Sequence, residues 1–163
     1  MIDLLPSALA LGLTATAFHD LLNWGQERTL GIPAPRYAPV GRWIAGIARG
    51  RLRHQDIRQS PPATGEAAIG ITAHYAIGVI FAAALLLVAG SDWLTRPTPV
   101  PALLTGFLTV AFPFFVMQPA FGFGIAAART PAPWSARRRS LWNHLSFGIC
   151  LYLAGLCLSP FTA

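Results

Sequence analysis

The stretch from Glu66 to Val88, EAAIGITAHYAIGVIFAAALLLV, carries one charged residue, at its first position. A helix needs about 20 consecutive apolar residues to cross the hydrocarbon core of a bilayer, and this run supplies them. Reading every fourth residue from Glu66 gives Gly70, His74, Gly78 and Ala82. Small residues on one face let a second helix approach closely. An imidazole or a carboxylate at membrane depth needs a partner, so this face is expected to meet other polar groups.

The rest of the chain has the same character. Of its 163 residues 54% are hydrophobic and 11% charged, less than half the charged share of an ordinary soluble domain. A soluble fold would have to bury four such runs in one small core. All twelve basic residues are arginine, and the net charge is +6. They lie between the apolar runs, a pattern that membrane topology explains and a nucleic-acid footprint does not.

Four spans are expected, over about 4–22, 67–89, 102–128 and 140–158, in a single integral domain covering 1–163. The first begins without a basic residue before its apolar run, so it reads as a retained span and not a cleaved signal. Its small face is Ala8, Gly12, Thr16 and Asp20, with His19 beside it. The third contains Pro113 and Pro119; each removes a backbone donor, which predicts a kinked or broken helix. The fourth carries His144, Gly148, Tyr152 and Gly155 along one face, with Asn143 adjacent. Cys150 and Cys157, seven residues apart on that helix, are too far apart for a disulfide and read as apolar packing residues.

Eleven of the twelve arginines fall in the loops at about 25–65 and 129–139. The positive-inside rule places those loops in the cytoplasm and both termini in the periplasm of a bacterial inner membrane. Between Val40 and Leu52 the apolar residues recur at helical spacing, which predicts an amphipathic segment lying in the headgroup plane. The fold class is thus an all-α membrane protein: a four-helix bundle with an irregular third span and an interfacial segment in its first loop.

This topology puts His19, His74 and His144 at one level, roughly 6–11 Å inside the cytoplasmic boundary at 1.5 Å of rise per residue. Asp20, Asn143 and Gln118 fall near them. The leading reading is a cavity for a small polar or lipid-headgroup ligand, lined by His19, Asp20, His74, Gln118, Asn143 and His144. Arg42, Arg51 and Arg129 would hold the anionic headgroups of the surrounding bilayer. An alternative is a redox or metal-dependent membrane enzyme with His19, His74 and His144 as ligands to a metal or haem. A third is a structural subunit whose histidines hydrogen-bond between spans. No Cys-x-x-Cys, His-Glu-x-x-His, phosphate loop or nucleophile elbow occurs, which argues against the common enzyme classes that carry them.

Short strings along the whole chain carry a resemblance. They are Val40-Gly41-Arg42-Trp43, Arg49-Gly50-Arg51, His54, Ser60-Pro61-Pro62, Gly65-Glu66 and Ala73-His74-Tyr75 in the first half. In the second half they are Met117-Gln118-Pro119-Ala120, Gly122, Gly124, Ala127 to Pro131, Ser140, His144 and Gly148. With these the sequence resembles a DUF2938-like family of small four-span bacterial membrane proteins of unknown function. The resemblance implies topology and draws attention to the first loop and to Met117–Pro131; it implies no mechanism.

Overall fold

A computed structural model describes residues 3–161. Among them the secondary structure is helical throughout. The long elements are α1 (Leu4–Leu30), α2 (Ala38–Ile47), α3 (Glu66–Ala89), α4 (Pro99–Thr109), the short α5 (Gln118–Ala120) and α6 (Pro133–Leu158). Four helical segments are long and apolar enough to cross a membrane: Leu4–Leu30, Glu66–Ala89, Pro99–Ala120 and Pro133–Phe161.

The helix ends depart from the apolar runs in an informative way. The apolar part of α1 stops near Leu22, but nothing there breaks a helix. The helix runs on to Leu30 and ends at Gly31, whose φ of 65° lets its N–H cap the Gln26 carbonyl. The last span likewise starts at Pro133, seven residues before the expected Ser140, since proline fits the first turn and the arginines that follow favour helix. The third span ends early. It passes Pro113 by widening into a π-turn over Pro113–Met117, where Gln118 N–H reaches the Pro113 carbonyl. It then stops at Ala120, eight residues short of the expected Ala128. The chain beyond it takes positive φ at Gly122, Gly124, Ala126 and Ala127.

The chain forms two compact units. The first comprises residues 3–35, 75–108 and 144–161 of the described chain. Its core is Ala8, Leu11, Ala15, Ala82, Leu85, Leu86, Trp93, Leu94, Ala102, Phe147, Leu151 and Ala154. The helices meet through small residues. A Cβ on Gly12 would overlap the backbone of Val79, and one on Gly78 would overlap the Thr16 hydroxyl, which itself donates to the Gly12 carbonyl at 2.7 Å. Gly106 and Gly148 give α4 and α6 the same close approach. Large apolar side chains such as Leu13, Ile80, Leu87, Phe107 and Leu108 point outward. Small residues at the helix contacts, with large apolar side chains also turned outward, suit a helix bundle in lipid.

The second unit comprises 36–74 and 109–143. Here α2 lies against the first turns of α3: a Cβ on Gly41 would strike the Glu66 carbonyl, and one on Gly70 the Tyr37 carbonyl. The segment after α2 folds back onto the end of α5. His54 N–H donates to the Ala120 carbonyl at 2.8 Å and Ile57 N–H to the Phe121 carbonyl at 3.0 Å. Ile57 is buried there with Ala120 and Phe121, and Val40, Trp43, Met117 and Phe123 pack around them.

Candidate functional site

The second unit is built around one guanidinium. Arg42 donates from Nε to Glu66 Oε2 and from one terminal nitrogen to Glu66 Oε1, each at 2.8 Å. Its other terminal nitrogen donates to the carbonyls of Ile57 and Ser60, both at 2.8 Å. A planar fork is the group that can serve a carboxylate and two carbonyls at once. Glu66 also accepts from Ala63 N–H at 2.8 Å. The bonds raise the pKa of Arg42 further above its usual range, through the Glu66 hydrogen bonds first and then its charge. Four of the five Arg42 N–H donors are therefore spent inside the protein, tying α2, the 57–60 segment and the start of α3 into one frame.

The frame holds a cavity of about 480 Å³ lined by Arg51, Arg53, His54, Gln55, Asp56, Gln59, Ser60 and Pro61. Arg51 and Arg53 are exposed on it. The Asp56 carboxylate is committed to Arg58 by a bidentate contact, 2.7 Å at its shortest, which lowers the Asp56 pKa. His54 Nδ1 lies 2.8 Å from Ser60 Oγ, and Ser60 Oγ donates to the Asp56 carbonyl at 3.1 Å. A carbonyl only accepts and serine has one hydrogen, so the hydrogen on this pair sits on His54 Nδ1. His54 Nε2 is left as a buried lone pair with no hydrogen-bond partner among the described residues. Burial, and then the charges of Arg51 and Arg42, push the His54 pKa below its ordinary value. The imidazole is held neutral.

Other residues expected at the site divide between the units. In the second, His74 stacks on Tyr37 with ring centroids 4.0 Å apart. Gln118 donates to Ser140 Oγ at 3.1 Å, and its carbonyl oxygen is buried without a partner among the described residues. Arg129 is exposed, its stem against Gly124; Asn143 lies ten residues into α6. In the first unit His19 is buried, with Nε2 3.2 Å from Ser146 Oγ and Asn23 Nδ2 3.4 Å from each ring nitrogen. Asp20 is hydrogen-bonded to the Tyr75 phenol, and His144 faces the Phe81 ring at 6.3 Å.

Sequence reasoning missed the central groups of the cavity. His54 and Ser60 enter it only as letters of the resemblance, Arg53 only as one of the first-loop arginines, and Asp56 and Gln59 not at all. The available signal was the density of polar residues from Arg51 to Ser60, a stretch too rich in hydrogen-bonding groups for a slack connection. Arg137, one of the arginines that set the expected topology, also donates from Nε to the Ala126 carbonyl at 2.8 Å, holding a backbone turn that alanine rarely adopts.

No curated protein and no solved structure matches this sequence. A family model does, described as protein of unknown function (DUF2938), over residues 9–158. That match runs from the first helix to the last residue of α6 and includes the Arg42 frame and the cavity it supports, so the chain belongs to the DUF2938 family.

Proposed function

We propose that this is a multi-pass protein of the bacterial inner membrane that binds an anionic headgroup in the cavity between α2 and α3, on the cytoplasmic side. The orientation follows from the arginines, eleven of twelve in the segments at about 25–65 and 129–139. Alternating apolar and basic residues, Ile47, Arg49, Arg51, Leu52 and Arg53, are exposed beside the cavity, a composition suited to the headgroup layer.

The observation that carries the reading is the division of labour among the arginines. Arg42 and Arg58 are committed to Glu66 and Asp56, whereas Arg51 and Arg53 line the open cavity with exposed side chains. The internal pairs hold the wall; the rim pair faces outward. The headgroup role expected of Arg42 therefore passes to Arg51 and Arg53.

The test is retention of anionic lipid by protein in nanodiscs of mixed phosphatidylcholine and phosphatidylglycerol, measured by native mass spectrometry. A basic side chain near an anionic surface contributes about 1 kcal/mol. Removing two, in Arg51→Gln with Arg53→Gln, is expected to weaken retention roughly 30-fold. Equal retention by the double variant would sink the proposal.

A further inference from the structure

We propose that the cavity takes up its ligand, a phosphate-ester monoanion, together with one proton, and that the proton goes to Nε2 of His54. The inference rests on the anionic-headgroup reading above and adds how that site is regulated.

The geometry defines where a proton can go. His54 Nδ1 already carries a hydrogen, fixed by the chain of bonds through Ser60 to the Asp56 carbonyl. The only site left on the ring is Nε2, which is buried and unpartnered among the described residues. It lies beneath the bare Cα of Gly46: a Cβ there would sit 3.4 Å from Nε2 and 3.3 Å from the Arg51 carbonyl. Glycine at this position leaves room for a hydrogen on Nε2, with a carbonyl across the same gap.

The charges around the ring decide when the proton stays. Arg42 and Glu66 face it as a closed pair, and so do Asp56 and Arg58. Arg42 nonetheless disfavours a positive ring, and so does Arg51, which lies with Arg53 on the cavity wall beside His54. With the cavity free of anion, burial and the charges of Arg51 and Arg42 disfavour the imidazolium. A monoanion between Arg51 and Arg53 supplies the missing negative charge beside the ring, and the imidazolium becomes the favoured form. By linkage, an anion that favours protonation is itself bound more tightly where protons are plentiful. A phosphodiester, the anionic group of the headgroup layer, keeps one charge across the histidine range, so with this ligand the pH response belongs to the protein.

The experiment uses the full chain in phosphatidylcholine nanodiscs, titrated calorimetrically with dihexanoyl phosphatidylglycerol at pH 7.5, 6.5 and 5.5, in two buffers of different ionisation enthalpy. Sulfate, which also does not titrate in this range, serves as the free-anion arm. The expected result is an affinity gain of about tenfold from pH 7.5 to 5.5, with a net proton taken up. His54→Asn keeps a donor where Nδ1 stands and deletes Nε2; it is expected to lose the pH response and the proton uptake. Sulfate binding with the same proton uptake assigns recognition to the anionic charge, and uptake with the lipid alone assigns it to the ester headgroup; either supports the linkage. Arginine-dependent binding with no proton uptake, or a His54→Asn protein with the wild-type slope, overturns the linkage and leaves the headgroup reading standing. Binding unaffected by Arg51→Gln overturns both. The wild-type uptake measurement decides the matter even if His54→Asn does not fold.

Discussion

The two units use glycine in the same way and surround it with different chemistry. In the first, Gly78 admits the Thr16 hydroxyl and Gly106 admits the backbone of α6, and the surrounding core is mostly aliphatic and aromatic, its buried polar groups being uncharged partners such as His19, Asn23 and Ser146. In the second, Gly41 and Gly70 bring α2 onto α3, and the contact is locked by a guanidinium holding one carboxylate and two carbonyls. The contrast follows from solvent. Where lipid tails are as apolar as the core, burial gives little drive, and close van der Waals approach has to hold the helices. Where irregular backbone leaves carbonyls to satisfy, charge-assisted hydrogen bonds do it, at the risk of a costly orphan if either partner is lost.

That contrast can be broken most sharply at Arg42. Its side chain and that of Glu66 are 13% and 15% exposed, so Arg42→Ala strands a largely buried carboxylate and two carbonyls. A cost of about 2–3 kcal/mol is expected after allowing for partial exposure. Hydrogen exchange at the His54 and Ile57 amides should accelerate roughly 30- to 150-fold while the amides of Leu11 and Ala15 keep their protection. Equal loss in both regions would mean that the clamp is not a local device. Arg42→Lys should recover less than half, since an ammonium cannot serve the same fork of acceptors.

In the first unit the comparable break is Gly78→Val, which drives a side chain into the Thr16 hydroxyl. Overpacking of this kind costs about 1–3 kcal/mol, read as a lower thermal midpoint in detergent. Thr16→Ala should relieve part of it, and a double-mutant cycle with no coupling would show that the two residues do not share the contact. Smaller still is Ser146→Ala, which takes away the His19 partner at 3.2 Å. Hydrogen bonds between membrane helices average about 0.6 kcal/mol, and that is the expected loss.

The gentlest probe is acid. The folded chain lowers the His54 pKa from about 6.5, so the fold prefers the neutral ring. Stability from this source is complete above the ordinary value and declines as pH falls through it toward the depressed folded value. Protection at the His54 and Ile57 amides, corrected for intrinsic exchange, should therefore weaken on acidification below about pH 6.5, and His54→Asn should flatten the response. An unchanged slope in that variant would point to a different titrating group.

How much of this was legible beforehand depends on the scale of the pattern. The spans were legible because hydropathy over twenty residues is a coarse property, and so were the packing faces. Ala8, Gly12 and Thr16 are buried as their spacing of four implied, as are Gly70, Gly78, Ala82, Gly148 and Gly155. Helix ends were less so: α1 stops at its glycine, not where its apolar run stops. The polar frame was not legible. Glu66 could be recognised as a carboxylate needing a partner, but several arginines were available, and the choice of Arg42 depends on Gly41 and Gly70 letting α2 lie flush on α3. The His54, Ser60 and Asp56 chain depends on how a loop without periodicity folds back onto Ala120 and Phe121. No repeat in the sequence encodes that register.

The Arg42 clamp also has a place in the order of synthesis. Its partners, Ile57, Ser60 and Glu66, all leave the ribosome within 24 residues of it. The acceptors for the His54 and Ile57 amides, Ala120 and Phe121, come only with the end of the third span. A short loop closes with a smaller entropy cost than a long one. The first connection can therefore assume its shape before the end of the third span has emerged. The later segment then arrives at a surface already formed, instead of both having to find each other at once.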